Sequence, residues 1–327
     1  MSRHSLLSRR KFIAGVGASL ASAALPVVPT SVFAAQTRAK ELRIGYQKAA
    51  NTLVLLKAHG TLEKRLAPLG VSVKWNEFPA GPQLLEGLNV GAIDFGYVGE
   101  APPVFAQAAG ANFVYTAYEI PTPHAEGILV HQDAPIKTLA DLKGKKIALN
   151  KGSDVHWFLV AALQKAGVKY SEIQPVFLAP ADARAAFERG SIDAWAIWDP
   201  FLEAAKRQSN ARLLADADGI VSHHQFFLSA RLFAEQNSDV LAIVMDEAGK
   251  EGAWVRGHYA EAAAQLAPIQ GLDAGVIEAG LRHYAHIYKP VDANVLAEQQ
   301  RIADTFSDLR IIPTKIVTKD AALGFTA

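Results

Sequence analysis

The chain of 327 residues contains no cysteine. That excludes disulfides, cysteine-ligated metals and thiol catalysis, and it excludes a lipid-modified N-terminal cysteine as a membrane anchor. An excess of one charge is also missing. With 33 Lys+Arg against 32 Asp+Glu the net charge is +1, and no basic tract suits a nucleic acid. Past the N-terminal segment no stretch is long and apolar enough to span a bilayer. No Ser-His-Asp arrangement falls at a convincing catalytic spacing. His223 and His224 are adjacent and point apart on a strand, and His124 and His156 stand elsewhere, so neither a metal site nor a cofactor is expected. What is present is ample apolar material: half the residues are hydrophobic and 20% are charged, enough core for two lobes.

One pattern occurs twice. Gly91-Ala92-Ile93-Asp94 opens an apolar run that ends at Glu100-Ala101-Pro102, and Gly190-Ser191-Ile192-Asp193 opens another that ends at Asp199-Pro200. Each reads as a turn, a buried strand and the start of a helix, with an acid placed to cap and a proline in the first helical turn. Phe78-x-Ala80 and Phe177-x-Ala179 stand at matching places upstream. Two similar α/β halves follow, each presenting a helix N-terminus at a strand end. A cleft between them, lined with backbone N–H groups, favours an anion.

Taken in order, strands are expected at 41–46, 71–78, 93–98 and 113–118, with helices at 53–66, 82–90 and 101–109 between them. Alternation of this kind implies parallel-rich sheets covered by helices. Pro121 and Pro123 stiffen a connection to a second lobe that repeats the order, with a helix beginning at Ser153, and residues 225–230 return to the first. From Leu232 to Phe306 the pattern is almost wholly helical, and these helices are expected on the outside of the first lobe. The lobes are thus residues 35–122 with 225–327, and residues 123–224, joined as a hinged clamshell.

Residues 1–34 read as a secretory signal: a charged start, a Gly/Ala-rich apolar run and Val32-Phe33-Ala34 at the cut. Arg9-Arg10 with Phe12 beyond resembles a twin-arginine signal. The segment carries Arg3, Arg9, Arg10 and Lys11 and no acid, so cleavage after Ala34 takes the net charge from +1 to −3. A freely diffusing periplasmic monomer is expected.

Several segments resemble the aliphatic sulfonate-binding proteins of ABC importers. They include Ile44-Gly45-Tyr46-Gln47-Lys48, Glu77 through Gln83, Pro102 through Gly110, Ile136 through Gly144, Ala179 through Phe187, and Asp193-Ala194-Trp195-Ala196-Ile197-Trp198-Asp199-Pro200. The likeness runs from about Leu42 to the final helices. It implies a type II periplasmic binding-protein fold and delivery of alkanesulfonates to a membrane permease. By motif it places ligand groups at Gln47, at Gly99-Glu100-Ala101, at Glu119, at Gly152-Ser153-Asp154 with His156, and at Trp195 and Asp199. Two positions depart from the family pattern: Glu100 replaces a usual Asp, and Asp154 with Val155 replaces two serines.

A sulfonate is permanently ionised and has three acceptor oxygens, so its site needs donors and no base. Helix starts at Ala101 and Ser153 supply amides, and Gln47 and Ser153 add side-chain donors. Glu100, Asp154 and Asp199 are read first as caps of their own helices, with an inward Asp154 suited to an amine on the ligand. Trp195 is assigned to the cleft wall and Trp198 to the core, with Tyr97 a further wall residue. Lys48 and Lys151 are expected in solvent, and His156 at the surface or the cleft edge. The same fold would also serve taurine, nitrate or another small oxyanion. A carbon–sulfur lyase, the enzyme reading, lacks the cysteine it needs.

Overall fold

The computed structural model describes residues 39–322. The chain begins with β1 (Glu41–Tyr46), α1 (Asn51–His59), α2 (Thr61–Leu66), β2 (Ser72–Glu77), α3 (Gly81–Asn89), β3 (Phe95–Gly99), α4 (Ala101–Ala108) and β4 (Phe113–Glu119). It then crosses into β5 (Glu126–His131), β6 (Lys146–Leu149), α5 (Asp154–Lys165), β7 (Gln174–Phe177), α6 (Pro180–Glu188), β8 (Ala194–Trp198), α7 (Phe201–Gln208) and β9 (Ala211–Asp216). A second crossing leads to β10 (Gln225–Ala230), α8 (Arg231–Gln236), α9 (Ser238–Gly257), α10 (Tyr259–Gln270), α11 (Ala274–Leu281), β11 (Tyr288–Lys289) and α12 (Ala293–Asp308). The expected single helix over 53–66 is two, because Gly60 adopts φ +60, a left-handed turn that ends one helix and starts the next.

The two sheets repeat one plan. The first has the order β11-β4-β10-β3-β1-β2 and the second β7-β6-β8-β5-β9. In each, three strands run parallel: β1 with β2 and β3, and β6 with β7 and β8. In each, a crossing strand runs against its neighbours: β10 against β3 and β4, β5 against β8 and β9. The sheets are therefore mixed. Each crossing strand enters its sheet from the other half and runs opposite to the strands beside it.

The repeated Gly-x-Ile-Asp performs the same work twice. Gly91 and Gly190 take φ +71 and +68 just after α3 and α6, the left-handed conformation that ends a helix without strain. The acids then anchor the next strand to its neighbour: Asp94 accepts from the Arg43 amide at 2.9 Å, and Asp193 from the Lys146 amide at 2.7 Å.

Helices α9, α10 and α11 bury Val240, Val244, Leu266 and Ile277 against Leu53 and Val54 of α1 over the first sheet, as expected. The last helix departs from that expectation. Phe306 of α12 is buried among the second sheet's side chains, edge-on to Trp157, while Val295 and Leu296 at its other end join the first sheet's core. One apolar face thus serves both halves. Among the described residues no helix is long and apolar enough to cross a membrane.

Candidate functional site

The two sheets turn the C-terminal ends of their parallel strands toward a shared gap. A polar chamber of about 20 Å³ there is lined by Gln47 after β1, Tyr97 and Gly99 of β3, Ser153 and Asp154 at the start of α5, Trp198 closing β8, Gln225 opening β10, and Tyr284. It shares Gln47, Ala49 and Trp198 with a second cavity of about 410 Å³. That larger space is bounded by Phe78, Pro79 and Leu272 on one side and by Pro180, Arg184, Pro200 and Phe201 on the other. A third pocket of about 10 Å³ lies against the first turn of α1, beside Tyr97, Glu119 and Tyr284.

The donors differ from the expected set. At α4 the residues after Ala101 are Pro102 and Pro103, which have no N–H, so this helix start keeps few free amides to offer. At α5 the first-turn amides of Asp154 and Val155 have no backbone acceptor among the described residues, nor do those of Thr52 and Leu53 in α1. These two helix starts, one from each half of the molecule, thus keep unbonded amides, α5 beside the polar chamber and α1 beside the third pocket. The Ser153 hydroxyl donates to the Asn150 carbonyl at 2.7 Å, and the Gln47 amide donates to the Tyr97 carbonyl at 3.3 Å.

Carboxylates cluster under the chamber. Glu100 does not cap its helix; its Oε2 accepts from the His224 amide at 3.0 Å, and burial pushes it up to about 8. Glu119 accepts from the Tyr97 hydroxyl and the His286 amide, and burial pushes it up to about 7. Glu126 is wholly buried with neither carboxyl oxygen bonded, and burial raises it well above the carboxylate range. Asp154 turns inward across the gap. Its Oδ2 accepts from the Gln225 amide at 3.3 Å, and its Oδ1 is buried without a hydrogen-bond partner. His223 stands among these acids, 3.6 Å from Asp154 and 3.9 Å from Glu126. Burial works against its charge, but Glu126 and Asp154 outweigh that and lift it to about 10.

Gln47, Tyr97, Gly99, Ser153 and Asp154 thus meet in one chamber, with Glu119 in the adjoining pocket. The remaining expected residues lie elsewhere. Trp195 and Trp198 exchange the roles assigned to them. Trp195 is fully buried against Phe187 of α6, whereas Trp198 lines both cavities. His156 is not at an edge. It is 1% exposed among Phe105, Phe177 and Phe306, its Nδ1 takes the Gly152 amide, and burial lowers it to about 4. Gly152 takes φ +78 beneath Phe105, away from the chamber. Ala101 is buried and does not line the chamber, though Pro102 beside it does.

Asp199 does support its own helix, accepting from the Glu203 amide at 3.0 Å, and it also takes His283 at 2.6 Å. Asp199, Glu203 and His283 come close enough together to suggest a cation, but Glu203 is already paired with Lys206 and Arg207, and Asp199 with His283. Sequence reasoning missed Gln225, Tyr284, Glu126 and the acid-lined setting of His223. Only the strand-initial position of Gln225 gave any signal for them.

Residues 68–255 match the family described as NMT1/THI5 like. An aliphatic sulfonates-binding protein of Escherichia coli K12 is 48% identical over 298 residues, covering 91% of this chain and 93% of that one. The alkanesulfonate-binding protein of Xanthomonas axonopodis pv. citri bound to MOPS superposes with TM-score 0.84 at 43% identity, over 88% of this chain and 99% of that chain. The periplasmic aliphatic sulphonate binding protein of Escherichia coli gives TM-score 0.81 at 47% identity, over 87% and 92%. These relatives are binding proteins, not enzymes, and the folds coincide over nearly their whole length. With the repeated sheet plan and the paired chambers already seen, the conclusion is that the chain belongs to the NMT1/THI5-like family and to the aliphatic sulfonate-binding proteins.

Proposed function

We propose that the chain captures alkanesulfonates between its two halves and presents the closed form to the membrane permease of an ABC importer. The supporting observation is the pair of cavities in series. A polar chamber supplied with α5 amides opens past Trp198 into a largely apolar space of about 410 Å³, rimmed by Lys48, Glu77 and Arg184, which suits an anionic head with a hydrocarbon tail. The tail space is walled from both halves, so a tail seated there favours closure by touching both at once. Nitrate would leave the larger space empty, and taurine would use little of it, so these readings rank below. Ligand groups on this reading are Gln47, Tyr97, Ser153, Asp154, Trp198 and Gln225.

Residues 1–34 serve on this reading as a twin-arginine export signal, and the mature protein works in the periplasm as a monomer. It performs no chemistry on its ligand, binds no nucleic acid and needs no cofactor. Its lobes are 35–122 with 225–327, and 123–224. Titration calorimetry with straight-chain sulfonates from one to eight carbons tests the reading. Affinity should rise with each methylene by up to roughly 0.8 kcal/mol, about fourfold. Absence of binding to every member overturns it.

A further inference from the structure

An anion chamber floored by carboxylic acids poses an electrostatic problem. Glu100, Glu126 and Asp154 are each less than a tenth exposed and sit together below the place where the head group would lie. Like charges in so dry a place repel one another and repel an anion. Some cation must balance them, and the nearest candidate is a single side chain, His223.

His223 lies in the second crossing, in a left-handed conformation at φ +50, and it grips the first crossing. Its Nδ1 is 2.9 Å from the Thr122 carbonyl, and the Thr122 hydroxyl donates to the His223 carbonyl at 2.9 Å. The ring is therefore fixed to both strands that join the two halves. Its other nitrogen faces acids from three elements: Glu126 on β5, Asp154 on α5 and Glu100 before α4, with Glu119 beyond. The neighbouring His224 faces outward to Glu298 at 3.0 Å and does not compete for these acids. Gln225 completes the ring's surroundings, its amide 2.9 Å from Nε2.

We propose that His223 is a positioning residue that sets the charge of the head-group chamber. As an imidazolium held at the hinge, it neutralises Asp154 from below and so lets an anion settle on the α5 amides above that carboxylate. This rests on the sulfonate reading of the site. Burial disfavours charge on Glu100 and Glu126, and Asp154 lies nearer the ring than Glu126, at 3.6 Å against 3.9 Å. The imidazolium also finds acids from both halves only while they are together, so the same contacts that balance the chamber favour the closed form.

Two measurements on the full chain decide this. Long-range ¹H–¹⁵N NMR of ¹⁵N-histidine protein should show both His223 nitrogens protonated at pH 7.5; a neutral tautomer there overturns the proposal without need of any variant. Calorimetry with octanesulfonate at pH 7.5 should find His223→Gln weaker than the parent by at least tenfold, and His223→Gln with Asp154→Asn largely restored, because the carboxylate left unbalanced is removed. An equal loss in the single and double variants would mean that His223 is only structural, and overturns the proposal. If the parent itself binds no sulfonate, the functional reading falls, while the NMR result still stands on its own.

Discussion

The carboxylate of Asp154, carried by the second half, lies directly against the backbone of Gly99 at the end of β3 in the first. A Cβ on Gly99 would overlap both carboxyl oxygens. Gly99 is held by its pairing with Gln225 across β10, so the strand cannot retreat, and any side chain there must displace Asp154. Gly99→Ala is therefore expected to hold the halves apart or push Asp154 off the Gln225 amide. Affinity for octanesulfonate should fall by at least tenfold while the melting temperature changes little. The double variant Gly99→Ala with Asp154→Ala should regain part of the loss, because the obstructing group is gone. Calorimetry on the single and double variants checks this, and a double variant no better than the single refutes it.

Glu100 and Glu119 are expected to make ligand capture sensitive to alkaline pH. Burial lifts them to about 8 and about 7 from an ordinary 4.5. Between the ordinary and raised values the folded protein keeps protons that the unfolded chain has lost. Stability from these groups therefore declines as pH rises through that window and levels off above about 8. Over the same rise the cleft acquires negative charge beside a permanently ionised guest. Sulfonate affinity should be steady below pH 6.5 and fall about tenfold or more by pH 9, roughly the 1.4 kcal/mol of one modest charge repulsion. Glu100→Gln should flatten the upper part of the profile. A binding constant unchanged from pH 6 to 9 contradicts this account.

The two tryptophans of β8 separate binding from stability. Trp198→Ala removes a wall shared by both cavities, so its effect should grow with ligand length and be several-fold larger for octanesulfonate than for methanesulfonate. Trp195→Ala removes a fully buried ring from the core, which costs about 3–5 kcal/mol of stability and lowers the melting temperature at every ligand length alike. Thermal denaturation and calorimetry on both variants distinguish the two roles.

That pair also shows what the sequence made legible. Residues three apart on a strand point to opposite faces, so one tryptophan inward and one toward the gap was readable from spacing. Which face the helices cover depends on how α6 lies across the sheet, placing Phe187 against Trp195, and spacing does not carry that. The repeated Gly-x-Ile-Asp was readable because turn chemistry is local, and it proved to mark equivalent strands of two sheets with one plan. The Ser153 helix start was readable for the same reason. The charge cluster was not. His223, Glu126, Asp154 and Glu100 come from four separate segments, and only the fold brings them within reach of one another. The two prolines after Ala101 were in plain view, and their missing amides already weakened the case for donors at α4.

The acids of the repeat give the last test, because equal sequence positions carry unequal loads. Asp94 is 6% exposed and accepts from the Arg43 amide and from its guanidinium, at 2.9 Å to Nε. Among the described residues Asp193 accepts only the Lys146 amide, at 2.7 Å, and is less buried. Removing Asp94 leaves an amide and part of a guanidinium without an acceptor near the sheet interior, whereas removing Asp193 orphans one amide nearer solvent. Asp94→Ala should cost about 2–3 kcal/mol and Asp193→Ala about 1 kcal/mol. Urea unfolding of the two variants measures both. Since each acid pins the strand that leads into the cleft, Asp94→Ala should also weaken sulfonate binding through β3, by less than it destabilises the fold. A larger effect of Asp193→Ala on stability would show that the repeat's two copies do not share the mechanism assigned to them.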